Sequence, residues 1–288
     1  MTLLSSFWVG LGAAFIFSLS NTLYKVSHLR GETVPHFMFW FGLGPTLAYL
    51  LLAFYFNSFS EFTLLLGCII GFLKGATNTL IAKINRISSP TLVSVPLTLG
   101  IPAALVISAF FFGVDISTLE IVSSLLVALI MALFVFIEIK KKDSNITSNT
   151  WFILVALIFL LISLSDASLL YIGDRITSFT DIFAVLTLMY LGSLLSGLIN
   201  LYKTHSLDLC RKVSIGFYTG LLGGAGLFVM AFGVTYYSPG AVMIGVSLNL
   251  ILTSIAAKLF IKEALLKSQY ALLVILTLAI IWPSLAVF

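Results

Sequence analysis

Charge is scarce in this chain. Lys, Arg, Asp and Glu make up 9% of its 288 residues, against about 25% in an average soluble domain. An ordinary globular enzyme, which needs a solvated charged surface, is excluded on that ground. Histidine occurs three times and cysteine twice. His28 and His205 fall in connections between apolar runs, and Cys68 and Cys210 sit in an apolar run and a polar connection, respectively. Neither a disulfide nor a metal site follows from that spacing. A Walker-type phosphate loop and an HExxH pair are both missing, so the sequence implies no cofactor.

Apolar length is what the chain has instead. Hydrophobic residues reach 60%, with a mean hydropathy of +1.16. One soluble core of this size cannot bury so much apolar surface, so the lipid bilayer has to act as solvent. A helix needs roughly 20 apolar residues to cross about 30 Å of hydrocarbon. Counting runs between charged or turn residues predicts an all-α integral membrane protein with ten transmembrane helices. The spans fall at 3–24, 34–56, 63–82, 90–113, 119–138, 151–172, 179–202, 213–235, 239–261 and 269–287. The first run lacks a basic leader region and a cleavage-like motif, and is read as a span and not a signal peptide. With so little chain left over, the isoelectric point near 9.0 is no nucleic-acid footprint and marks topology instead.

The two halves of the chain echo each other. Gly67, Gly71 and Gly75 in span 3 repeat as Gly216, Gly220 and Gly224 in span 8, each 149 positions later. Ser89-Pro90 before span 4 returns as Ser238-Pro239 before span 9 at the same offset. Ser18-Leu19-Ser20-Asn21 in span 1 returns as Ser163-Leu164-Ser165-Asp166 in span 6. These pairs predict a duplication, with repeats over residues 1–142 and 143–288. Five spans per repeat put the second copy in the membrane upside down. Inverted repeats of this kind place a substrate site between the halves, near the bilayer midplane.

Basic residues set the orientation. Lys25, Arg30, Lys83, Arg86, Lys140, Lys141, Lys142, Lys203, Arg211, Lys212, Lys262 and Lys267 lie at the odd-numbered connections, which makes 12 of the 15 Lys and Arg. Only Arg175 lies on the other side, with Lys74 and Lys258 inside spans. The positive-inside rule then places the basic loops in the cytoplasm and both termini outside. The Lys140–Lys142 run reads as a topology marker with a secondary affinity for anionic lipid.

These features resemble the drug/metabolite transporter superfamily, in its ten-helix EamA-like branch. The family's Gly-Glu-Arg element after each repeat's fourth helix stands here as Gly113-Val114-Asp115 and Lys262-Glu263-Ala264, and its first-helix Trp-Gly as Phe17-Ser18. Members usually keep both termini in the cytoplasm, the reverse of the charge count, and the glucose/ribose porter branch is the alternative. The resemblance implies a bacterial inner membrane protein. It also implies a cavity surrounded by helices 1–4 and 6–9, with helices 5 and 10 as supports or a homodimer contact.

Lys74 is the most informative residue. It sits mid-span, where a charge costs roughly 2.5–3.5 kcal/mol on insertion scales, and a cation there suits a carboxylate, a phosphate or an internal acid. Asn78 shares its face one turn on. Asp166 is the only acid well inside a span, so it is one natural partner for Lys74. Counted from the outer span ends, their depths differ by roughly 7–8 Å at 1.5 Å per residue, a gap a lysine stem partly bridges. The two would hold the ends of a zwitterion, or Asp166 would carry a coupling proton, since a low-dielectric cavity disfavours the ionised carboxylate. A structural ion pair or a helix fastener is the plain alternative for both. Asn21 is the repeat counterpart of Asp166. His36 and Trp40 form an aromatic face that reads as cavity lining or as an interface anchor. Ser94 and Thr98 flank the kinking Pro96 and Pro102, with Ser247 and Asn249 on the matching stretch of span 9. Lys258 snorkels from the end of its span.

A secondary transporter of a small polar metabolite, amino-acid-like or anionic, accounts for these features best. Sugar uptake is the alternative within the class, and a channel, an intramembrane enzyme and a retinal photoreceptor on Lys74 fit less well.

Overall fold

The computed structural model describes residues 3–139, 149–175, 178, 180–205, 212–263 and 267–285. Lys140–Lys142, Cys210, Arg211 and Ala264 lie outside them. Eleven helices occupy the described residues, in the order α1 (Leu3–Leu29), α2 (Val34–Tyr55), α3 (Glu61–Ile87), α4 (Pro90–Phe111), α5 (Thr118–Ile139), α6 (Asn149–Arg175), α7 (Asp181–Lys203), α8 (Ile215–Tyr236), α9 (Pro239–Val246), α10 (Asn249–Ile261) and α11 (Lys267–Leu285).

Eight segments are long and apolar enough to cross a membrane, with α9 and α10 counted as one, and α5 and α11 supply the shorter apolar stretches Thr118–Phe134 and Gln269–Leu278. Burial runs opposite to that of a water-soluble protein. Phe72, Phe110, Phe111 and Leu259 project outward, whereas Lys74, Asp166, Asn21, Asn249 and many Ser and Thr are buried. A surface of bare Phe and Leu is stable only against hydrocarbon. The protein is an integral membrane protein.

Several helices outrun the apolar stretches that predicted them. α1 continues five residues past position 24 and α3 five past position 82. Their polar last turns keep helical hydrogen bonds where side chains reach water, so hydropathy underestimates length. The ninth span departs further: it is two helices, not one. Leu248 N–H donates to Gly245 O, three residues back, which tightens the chain between α9 and α10. The break lies next to a close backbone approach to α1. A Cβ on Gly245 would meet Phe7 O at 2.6 Å, and a Cβ on Gly10 would sit on Val242 O, so the two backbones touch.

The packing order is reciprocal. α1 lies on α8 and α3 on α6, α2 lies on α7, α4 on α6 and α9 with α10 on α1, and α5 packs on α11. Polar groups tie the connections together at each end. At one end Lys25 Nζ donates to Asn85 O and Ser88 O, His36 Nε2 lies 2.8 Å from Lys212 O, and Trp151 Nε1 donates to Ser88 Oγ. Glu32 there accepts from Ser214 Oγ at 2.6 Å and from Ile215 N at 2.9 Å, which fills the α8 N-terminus. At the other end Ser238 donates to Glu120 through its hydroxyl and to Ser6 Oγ through its N–H. Phe56, Phe183 and Phe228 stack there, with centroids 5.6 Å apart at each step.

Candidate functional site

A cavity of about 110 Å³ lies between the helices, lined by side chains from α1, α2, α3, α4, α6, α7, α8 and the α9–α10 junction. None of the lining residues comes from α5 or α11. Lys74 on α3 and Asp166 on α6 meet there, Nζ to Oδ1 at 2.8 Å. The partnership expected from the sequence is made by direct contact. Neither group has another hydrogen-bond partner among the described residues, so two ammonium protons and the second carboxylate oxygen stay unengaged by protein. An ion pair buried this far persists because each charge is the other's only compensation.

Amides and hydroxyls surround the pair. Asn21 Nδ2 donates to Asn249 Oδ1 at 3.4 Å, and Thr253 donates to the same oxygen at 3.1 Å. The break after α9 makes Asn249 the first residue of α10, which turns its amide toward α1. Asn78 donates to Ser193 Oγ at 3.0 Å and also reaches the cavity. Thr98 lines it as well, with Oγ1 buried and unpartnered among the described residues. Six of the ten predicted residues therefore converge: Lys74, Asn78, Asp166, Asn21, Thr98 and Asn249.

Four do not. His36 is spent on the Lys212 carbonyl at the basic end, as a staple between connections. Trp40 packs edge-on against Phe217, centroids 6.0 Å apart, away from the cavity. Ser94 donates to Thr91 O and Ser247 to Met243 O, so both hydroxyls serve their own helices. An aromatic face on span 2 and polar residues on a proline-kinked stretch and its repeat counterpart pointed to those four, and side-chain direction overrides both signals.

Tyr24, Phe41, Tyr190, Ser20 and Gly223 are lining residues that the sequence reading passed over. Tyr24, Phe41 and Tyr190 form a wall with centroids 5.3 and 5.6 Å apart. A signal for part of it existed. Phe41 and Tyr190 are 149 positions apart, the repeat offset, as are Lys74 and Gly223.

Away from the cavity, Lys258 Nζ stands 4.9 Å over the Tyr270 ring, an attachment of α10 to α11. Cys68 is a free thiol on the outer surface.

Fold and site together define an integral membrane protein, helical throughout its described residues' regular structure, with a largely apolar cavity between its helices that holds a buried ion pair, amides and hydroxyls. No family model and no curated protein matches the sequence. Among solved structures 12 chains match. One of them, a crystal structure of a protein, superposes with a TM-score of 0.63 over 97% of this chain and 96% of that chain, at 12% identity. Coverage of both chains from end to end shows a shared fold, and identity that low shows the fold alone.

Proposed function

We propose that the chain is a secondary transporter that moves a small polar metabolite by alternating access, with ten spans arranged as two inverted five-helix repeats, 1–142 and 143–288. The observation that carries the reading is the buried Lys74–Asp166 pair facing a cavity. Two fixed opposite charges with unengaged valences suit an amino-acid-like zwitterion, whose carboxylate and ammonium replace each partner without leaving net charge buried. A simple organic anion would leave Asp166 unpaired, so its transport calls for a proton on Asp166. Reciprocal packing supports the inverted repeats, since exchange of halves maps α1–α8 onto α6–α3 and α2–α7 onto itself. The likeness to the drug/metabolite transporter superfamily agrees with that arrangement. It also motivates the bacterial inner membrane and a dimer through the peripheral helices.

Sugar uptake is the second reading, favoured by the aromatic wall of Tyr24, Phe41 and Tyr190 beside Asn21 and Asn249. Substrate counterflow in proteoliposomes separates the two. Exchange of labelled amino acid that saturates, and that is lost in Lys74→Ala while the variant still unfolds cooperatively, at a lower temperature, is the expected result. Exchange of neutral sugars unchanged by Lys74→Ala would instead make the ion pair structural.

A further inference from the structure

The cavity has a second polar wall whose chemistry the ion pair does not use. Tyr190 on α7 is 4% exposed and lines the cavity, yet its hydroxyl has no hydrogen-bond partner among the described residues. Buried phenols ordinarily find a partner, so an unpartnered one on a cavity wall points to a ligand group. Ser20 on α1, also 4% exposed, donates its proton to Thr219 O at 3.1 Å, which leaves its oxygen to accept. The two hydroxyls converge on Gly223 of α8. A Cβ there would stand 3.2 Å from Tyr190 Oη and 3.3 Å from Ser20 Oγ, so the bare glycine keeps the approach to both clear.

One phenol able to donate and one serine oxygen able only to accept complement a group that does both. An alcohol fits that description, while an ether oxygen or a methyl does not.

We propose that Tyr190, Ser20 and Gly223 form a hydroxyl-reading subsite where α1, α7 and α8 meet, on helices other than α3 and α6 that carry the charges, and that the occupant is a small zwitterion carrying an alcohol. The proposal rests on the reading of Lys74 and Asp166 as the zwitterion's partners. The repeat places Gly223 opposite Lys74 in register, so the two ends of one pseudo-symmetric site have diverged. One end holds charge, and the other holds space between neutral hydroxyls.

The test compares ligands that differ only where the subsite looks. Titration calorimetry of the purified full chain would use the pairs L-threonine with L-valine and L-serine with L-alanine. One neutral buried hydrogen bond predicts about a five- to tenfold preference for each alcohol. Tyr190→Phe should reduce that ratio to near one while leaving valine affinity unchanged, a split that lost folding would not produce. Gly223→Ala, whose nearest neighbours are side-chain hydroxyls and a ring, should fold and lose the alcohols preferentially. Equal affinity within each pair, with all binding abolished by Lys74→Ala, overturns the subsite and leaves the zwitterion reading standing. Failure of all four amino acids to bind overturns both.

Discussion

Lys74 and Asp166 cost the fold something when apart and little when both are gone. Lys74→Met alone leaves a carboxylate buried without its partner, a loss of about 3–5 kcal/mol. Adding Asp166→Leu removes the orphaned charge, and well-packed apolar replacements for buried pairs are commonly neutral or stabilising. Thermal unfolding in detergent should therefore rank wild type and the double variant together, with Lys74→Met well below. Solute exchange should be lost in both variants, since stability returns without the charges. A double variant as unstable as the single one would mean that the site needs polar filling. Both residues were legible in the sequence because a charge within an apolar run is conspicuous whatever the tertiary fold. Tyr24 and Tyr190 were not, because aromatic rings occur throughout membrane helices and only the tertiary facing separates lining from packing.

Helix pairs are held by close backbone approach more than by side-chain bulk. A Cβ on Gly192 of α7 would lie on the Gly71 carbonyl of α3, and one on Gly75 would meet Gly192 O at 2.6 Å. Gly192→Val should separate α3 from α7 and destabilise by about 1–3 kcal/mol or more. Gly12 supplies the control, since nothing lies within 4 Å of its missing Cβ. Gly12→Ala should hold or slightly raise the melting temperature, as alanine favours the helix. Glu32 acts at this scale too. Its carboxylate takes the Ser214 hydroxyl and the Ile215 N–H, so Glu32→Ala exposes the α8 N-terminus and should lower stability by about 1–3 kcal/mol. Recovery of full stability in Glu32→Gln would assign the effect to hydrogen bonding over charge. The glycine spacing announced these contacts, and Ser-Pro announced the starts of α4 and α9. The break between α9 and α10 had no such warning. Neither glycine nor proline stands at Ser247-Leu248, and the break follows the close approach of α1 at Gly245, which only the tertiary packing reveals.

Orientation is a property of the whole molecule, and the charge pattern and the packing bear on it independently. Contacts among Lys25, Glu32, His36, Ser88, Trp151, Lys212 and Ser214 gather the basic connections at one end of the bundle. Contacts among Ser6, Glu120 and Ser238, together with the stack of Phe56 on Phe183, gather the others at the opposite end. The positive-inside rule then acts on two ends instead of nine separate connections, and predicts that the end bearing Arg30 and Arg86 faces the cytoplasm. Exposed positions report the side directly. In a background with Cys68→Ser and Cys210→Ser, Thr33→Cys marks the basic end and Asp115→Cys the other, and both positions are exposed. A membrane-impermeant maleimide applied to intact cells should label Asp115→Cys and leave Thr33→Cys untouched until the membrane is permeabilised. The opposite pattern would place the termini in the cytoplasm, as in most proteins of the superfamily that the sequence resembles. The basic residues would then lie on the outer face, against the rule that governs insertion, and the Phe56–Phe183–Phe228 stack would close the cytoplasmic side. Labelling of both before permeabilisation would break the antiparallel alternation that the end contacts require, and the ten-span arrangement with it.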